Sequence, residues 1–527
     1  MKRACKILTN KRMFLSEIHL LPLKINNYKQ MKQQFSLYTN FKIAILLMVF
    51  GLSLTSCEDY LDQKPTDGLV LEEYWKNKEE VLSTLGGAYQ LFSELDYLLF
   101  IHGEIRGDML QPNGTVTGGS ERNVMSANIE TNQFFARWDN FYKAINICNH
   151  VIELTPGVQD PTFTEYRKQQ MVSEATFLRG LIYFYLVRIW QDVPFVTEPT
   201  TTDDGEFFPP VTPGTEILES IKADLIDIRN RMPDHPTIEQ SKSRATAGAV
   251  NALLADISLW NFDYDDCIAY IEAVENSGQY FLLPATEWFQ NYNPGFSLEN
   301  IFEIYFDQSF GQANNFATRT YSSTSNGIYY FGSEYAQEVL SVETTEAGEL
   351  IRGNGSLSNN HQIWKYAGAI PDKTTLRPGN TNRSANFIVY RLADLFLMKA
   401  EAYSQKASPD FAQALLYLNA IRIRSNMAPY PQFSRAQDFE DAILLERAKE
   451  LAFEGKRWFD LLRMGRRNDY ARKDDLIEIL IQNVPSSQKL VLKSRLSDPN
   501  GWYMPIHIFE IDRNKNLKQN SYYDENK

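Results

Sequence analysis

The densest set of chemically competent side chains is ILLERAKELAFEGKRWFDLLR, residues 443–463, which sets Glu446, Glu450, Glu454 and Asp460 among Arg447, Arg457 and Arg463. Two carboxyl groups flanking a glycosidic bond are what glycoside hydrolysis uses, one of them kept protonated to serve the leaving group. Arginines work against that. Glu450 has Arg447 three residues back, Glu454 has Arg457 three residues on, and Asp460 has Arg457 and Arg463 on either side. Carboxylates matched by cations one helical turn away are held ionised, so this segment reads as structural ion pairing and not as acid–base catalysis.

Other reactive groups lead to the same conclusion. Cys148 steps with Trp138, Phe141, Ile145 and Ile152 along one apolar stripe, and Cys267 steps with Ile271 and Val274; both are expected to be buried structural thiols. The six histidines have no two at metal-ligand spacing. No GxSxG, HExxH, phosphate-binding glycine loop, dinucleotide fingerprint or EF-hand spacing occurs. Arg106-Gly107-Asp108 reads as a turn. We therefore expect no catalytic residue, no cofactor and no metal.

Binding chemistry is better represented. Aromatic residues make up 13% of the chain, and many fall outside helical stripes. Flat apolar faces beside amides and carboxylates suit sugar rings, which have C–H faces and polar rims. Two polar loops carry such sets, and function tends to sit on loops held by a rigid frame. Residues 103–132 offer Asp108, Gln111 and Asn113; residues 309–335 offer Tyr321, Tyr329, Tyr330 and Phe331; a third loop adds Trp364 and Tyr366. The expectation is that Tyr321, Tyr329, Tyr330 and Trp364 stack on the ligand while Asp108 and Asn113 exchange hydrogen bonds with it.

The frame is helical throughout. Asn77-Lys78-Glu79-Glu80 resembles a capping box, followed by Val81, Leu85, Ala88 and Phe92 at helical spacing. Glu174–Trp190 is apolar nearly all round and should lie deep in a core. Asp438 is placed to cap a helix starting near Phe439. Residues 245–277 read as two helices joined by a short turn, and Arg391–Tyr403 with Phe411–Arg424 as a second pair. Small residues facing larger ones in units of about 34 residues follow the logic of tetratricopeptide repeats, here degenerate and interrupted.

The N-terminus carries a different signal. Lys42 precedes an uncharged apolar run from Ile43 to Leu54, then Leu54-Thr55-Ser56-Cys57 and the acids Glu58 and Asp59. The run is too short to span a bilayer, which takes about 20 residues, but suits a secretory h-region of roughly 7–15. The tetrapeptide resembles a bacterial lipobox, in which cleavage precedes a cysteine that becomes lipidated; more than one acyl chain gives stable anchoring. Residues 1–56 are thus expected to be an N-terminal extension and signal peptide, removed to leave Cys57 lipidated. Nine of the 53 Lys and Arg, but one of the 66 Asp and Glu, precede Cys57, leaving 44 basic and 65 acidic residues and a formal charge of −21. That balance argues against nucleic acid as a partner and against docking on anionic lipid by charge.

Seven stretches in order carry a resemblance to the SusD/RagB family of outer-membrane lipoproteins: CEDYLDQKPTD, WDNFYKAINICNHVIE, EATFLRGLIYFYLVRIWQDVPFV, RATAGAVNALLADISLW, YRLADLFLMKAEAY, LLERAKELAFEGKRWFDLLR and MPIHIFEIDRNKNLKQN. His507 and Ser521 depart from the pattern where proline is common. The resemblance implies a mainly α, SusD-like fold with four TPR-like helix pairs and long irregular loops carrying the ligand site. It implies one domain over 57–527, with an N-terminal part to about 260 and a C-terminal part from about 261. It also implies lipid anchoring at the cell surface of the outer membrane, capture of an oligosaccharide without catalysis, and delivery to a SusC-like TonB-dependent transporter. Two other readings keep the fold: a peptide ligand, or a TPR-like scaffold that binds only protein.

Overall fold

The computed structural model describes residues 74–114, 117–201, 207–322, 329–341, 351–378, 383–482 and 484–524, all within one unit of the chain, Leu71–Lys527. The segment expected to be a signal peptide, with Cys57, Glu58 and Asp59, lies outside the described residues.

Helix α1, Lys78–Ser93, starts on Asn77, whose side chain accepts from the Glu80 N–H while Glu80 reaches back to the Asn77 N–H. This is the capping box read from the sequence, and the stripe Val81, Leu85, Ala88 and Phe92 is buried. Helix α2, Asp96–Phe100, runs on into a π turn, Ile101–Ile105. A Cβ on Gly103 would run into the Gly455 carbonyl. At the same contact, the Glu104 carboxylate accepts from the Phe453 and Gly455 N–H groups at 3.1 and 3.0 Å. The π turn is thereby fastened to a segment some 350 residues further on. Strand β1, Leu110–Pro112, and helix α3, Gly119–Met125, follow.

Helices α4 (Asp139–Leu154), α5 (Glu165–Trp190) and α6 (Gly214–Ile228) pack successively on one another, and α4 also packs on α1. From Glu174 to Trp190 every residue of α5 is buried. Helices α7 (Ala247–Trp260) and α8 (Tyr264–Asn276) form the hairpin expected from the alanine-rich stretch. Both thiols are buried in these helices, and burial pushes Cys148 up to about 12 and Cys267 well above the usual range.

Strand β2, Asn300–Ile304, precedes β3, Tyr330–Gly332, and β4, Phe387–Arg391. The strands form two antiparallel pairs, β1 with β3 and β2 with β4. Helices α9 (Leu392–Gln405) and α10 (Phe411–Arg424) make the second expected hairpin, with α11 (Ala436–Glu450) against both. The last of these begins on Arg435, not Asp438, whose carboxylate pairs with Arg435 instead of capping. Helices α12 (Arg457–Tyr470), α13 (Lys473–Gln482) and α14 (Ser486–Leu496) follow. At the terminal segment, His507 substitutes for a rigid proline by capping Ile508–Arg513, its Nδ1 accepting from the Phe509 N–H.

The acid–arginine segment is a buried ion-pair network, but most of its partners are distant in sequence. Glu450 meets Arg352 at 3.0 Å, Arg391 at 2.6 Å and also Arg424; Glu454 meets Arg391 and Lys365. Arg447 turns to Asp394 and Asp460, and Arg457 to Asp108. Of the pairings expected at one helical turn, Asp460 with Arg463 forms, at 3.1 Å. Burial would raise Glu450, but Arg424, Arg391 and Arg352 outweigh it and hold the carboxyl well below its ordinary range. A buried carboxyl held ionised by arginines is poorly placed to lend a proton.

Candidate ligand-binding site

The antiparallel ladder of β1 and β3 joins the two polar loops singled out in the sequence. Gln111 lies opposite Phe331 and Pro112 opposite Tyr330, and the Asn113 N–H extends the ladder by donating to the Tyr329 carbonyl at 2.9 Å. Along β3 and the residue before it, burial alternates with the pleat: Tyr329 and Phe331 are half-buried, Tyr330 and Gly332 buried. Successive strand side chains face opposite ways, so Tyr329 and Tyr330 cannot both face a ligand. Residues 323–328 of the second loop lie outside the described residues.

Three of the six expected contact residues are therefore interior. Tyr330 is fully buried and shares a hydrogen bond with Tyr97, oxygen to oxygen, at 3.0 Å. Trp364 is also fully buried; its indole N–H donates to the Ile370 carbonyl at 2.8 Å. Asp108 takes Nε and Nη2 of Arg457 on its two carboxylate oxygens, at 2.6 and 2.8 Å. Each supports the loops from below and does not reach out from them. Tyr321, Tyr329 and Asn113 stay half-buried. Tyr321 packs edge-on against Trp364 with ring centroids 5.5 Å apart, so the tryptophan fixes the tyrosine that the surface presents.

Side chains the sequence did not single out complete the surroundings. The Arg319 guanidinium lies 3.9 Å over the Tyr97 ring and 5.7 Å from that of Tyr329, and Tyr97 donates to Glu121 at 3.1 Å. Arg122 gathers the first loop by donating to the carbonyls of Thr117, Asn113 and Gly114. Beside these loops opens a cleft of about 1020 Å³, lined by residues 105–108, 110–112 and 124–128, by the end of α13 and by α14. Its size is at the upper end of small-molecule sites, which span about 300–1,000 Å³.

Comparison with known proteins agrees with this architecture. The SusD family model matches residues 255–523, and the model described as "Starch-binding associating with outer membrane" matches residues 59–259. SusD-like protein P38 of Formosa agariphila is 25% identical over 483 residues, 81% of this chain and 92% of the relative. SusD-like protein P2 of the same organism is 24% identical, covering 80% and 90%. Among solved structures, a SusD superfamily protein from Bacteroides vulgatus superposes with a TM-score of 0.72 at 19% identity, over 85% of this chain and 100% of that one. A laminarin-binding SusD-like protein superposes with a TM-score of 0.66 at 21% identity, over 85% and 100%. The matched segments follow one another along the chain and the mainly helical fold is shared over most of its length: this protein belongs to the SusD/RagB family.

Proposed function

We propose that this protein captures oligosaccharides at the cell surface and passes them, chemically unchanged, to a SusC-like TonB-dependent transporter. It does so as an outer-membrane lipoprotein anchored through Cys57. The observation that carries this is the β1–β3 ladder, which holds half-buried Tyr329 and Asn113 beside a cleft large enough for several sugar units. Tyrosine supplies a flat face for a pyranose, and the amide of Asn113 can both donate and accept. The buried ion-pair network supports a non-catalytic role, because arginines hold Glu450 and Glu454 ionised. Family membership and the laminarin-binding structural neighbour favour a glycan over a peptide.

Titration calorimetry of the purified protein against a panel of oligosaccharides, including laminarin fragments, tests the binding role. Tyr329→Ala should weaken the best ligand about tenfold or more, in line with a lost stacking and burial contribution. Binding of peptides alone, or of no small ligand at all, would refute it. New reducing ends after prolonged incubation with those glycans would refute the non-catalytic part. Mass spectrometry of membrane-extracted protein should show a chain starting at a lipidated Cys57, and a large barrel should co-purify with it.

A further inference from the structure

We infer that the cleft selects anionic oligosaccharides, sugars bearing uronate carboxylates or sulfate esters, over neutral ones. This assignment rests on the glycan-capture function proposed above and names its ligand class. The chain as a whole is acidic, with 66 Asp and Glu against 53 Lys and Arg, yet four cations line this one cleft: Arg106, Arg122, Lys489 and Arg495. Around Glu450 and Glu401 arginines are consumed by carboxylates. Here every hydrogen bond of the four goes to a neutral backbone carbonyl. Arg106 donates to Gly501 and Trp502, Arg122 to Thr117, Asn113 and Gly114, Arg495 to Ser126 and Lys489 to Gln482. Among the described residues no carboxylate stands at ion-pair distance from any of them.

The acids in the lining do not cancel that charge. Asp108 is committed to Arg457 through two hydrogen bonds, and Glu334 is exposed at the margin. Four cations therefore face one uncommitted carboxylate. Arg106 is the most telling, because the residue is nine-tenths buried, its guanidinium lies 4.2 Å over the Trp458 ring, and among the described residues no carboxylate pairs with it. Burying an uncompensated charge is costly unless something supplies the partner. A ligand anion entering the cleft would supply it. Carbonyl bonds hold the guanidiniums of Arg122 and Arg495 in place while leaving donors over: Nη1 of the first, Nε and Nη2 of the second. Guanidinium donors match carboxylate and sulfate oxygens in pairs. The cleft also adjoins the aromatic loop surface directly, since Arg122 donates to the Asn113 carbonyl at 2.9 Å while the Asn113 N–H donates to Tyr329. A chain of sugars can thus stack on the tyrosines while its charges enter the cleft.

The test uses matched pairs of probes on the full-length protein. One pair is oligogalacturonate and its carboxyl-reduced form; the other is a sulfated galactan oligosaccharide and its desulfated form. The expected result is that at least one anionic member binds ten times or more tighter than its neutral partner, and that its affinity falls steeply between 50 and 500 mM NaCl as screening grows. Which pair responds distinguishes carboxylate from sulfate. Arg495→Gln and Lys489→Gln, both on α14 and away from the buried network, should each weaken the anionic probe about tenfold, the worth of a charged hydrogen bond, with unchanged unfolding midpoints. Neutral members binding as tightly as anionic ones would overturn the inference while leaving glycan capture standing. Anionic binding insensitive to both substitutions would overturn the placement in this cleft. Absence of binding by every glycan would overturn the inference and the proposed function together.

Discussion

Asp108→Ala should cost the fold about 3–5 kcal/mol and leave glycan affinity nearly unchanged, the reverse of what the residue's place in a polar loop suggests. Its side chain is 1% exposed and that of Arg457 5%, with two hydrogen bonds of 2.6 and 2.8 Å between them. Removing one partner of a sealed pair leaves the other charge uncompensated, which costs about 3–5 kcal/mol. Arg457 would keep one bond, from Nη1 to the Leu444 carbonyl at 2.9 Å. Replacing both residues together, as Asp108→Leu with Arg457→Met, removes both charges and should restore most of that stability, giving a coupling of about 2 kcal/mol or more. Urea unfolding reads this as a drop in midpoint at constant slope, and calorimetry on the folded variant reads the ligand affinity. An unmoved midpoint with binding about tenfold weaker would show that the carboxylate faces the ligand and that its pairing with Arg457 is incidental.

The other predictions divide frame from surface in the same way. Trp364→Ala should destabilise the fold by about 3–5 kcal/mol, as large-to-small core changes do, whereas Tyr329→Ala should shift the urea midpoint little and act on affinity. Gly103→Ala puts a methyl group into the Gly455 carbonyl and should lower the midpoint severely or prevent folding, measured by circular dichroism of the soluble fraction. Burial would raise Glu401 and Asp394, but Arg463 with Arg467, and Lys456 with Arg447, outweigh it and hold both at about 2. Unfolded, these groups titrate near 4, so their stabilisation is complete above about pH 4.5 and is lost as pH falls toward 2, on the order of 2–3 kcal/mol each. Glu401→Gln should lower stability at neutral pH and flatten that acid slope in urea titrations between pH 4.5 and 2. Neither Cys148 nor Cys267 should react with a thiol reagent until denaturant is added.

Much of the fold was legible because its signals are local. A capping box is read within four residues and an apolar stripe within four turns, so α1, the stripe on α4 and the depth of α5 follow from spacing alone. The hairpins α7–α8 and α9–α10 followed from paired periodic segments with a short break between them. The ionised state of Glu450 and Glu454 was also legible, from the abundance of arginine. Its partners were not: Glu450 is met by Arg391 and Arg352, which lie 59 and 98 residues away in sequence.

The proposed ligand surface shows the same boundary. Residue types marked the two polar loops, since glycine, asparagine and aromatics outside helical stripes are visible in any window. Side-chain direction was a different matter. Tyr329 and Tyr330 are equivalent in composition, and only the register of β3 against β1 turns one outward and the other inward, because a pleated strand alternates faces and one position of slip would exchange them. Likewise Arg106 and Arg495 are 389 positions apart, and nothing near either one in the chain announces a shared cleft. Caps, stripes and charge balance are properties of neighbouring residues and are written in the sequence; which side chains converge, and which charges are left without partners, is decided only when segments hundreds of residues apart pack together.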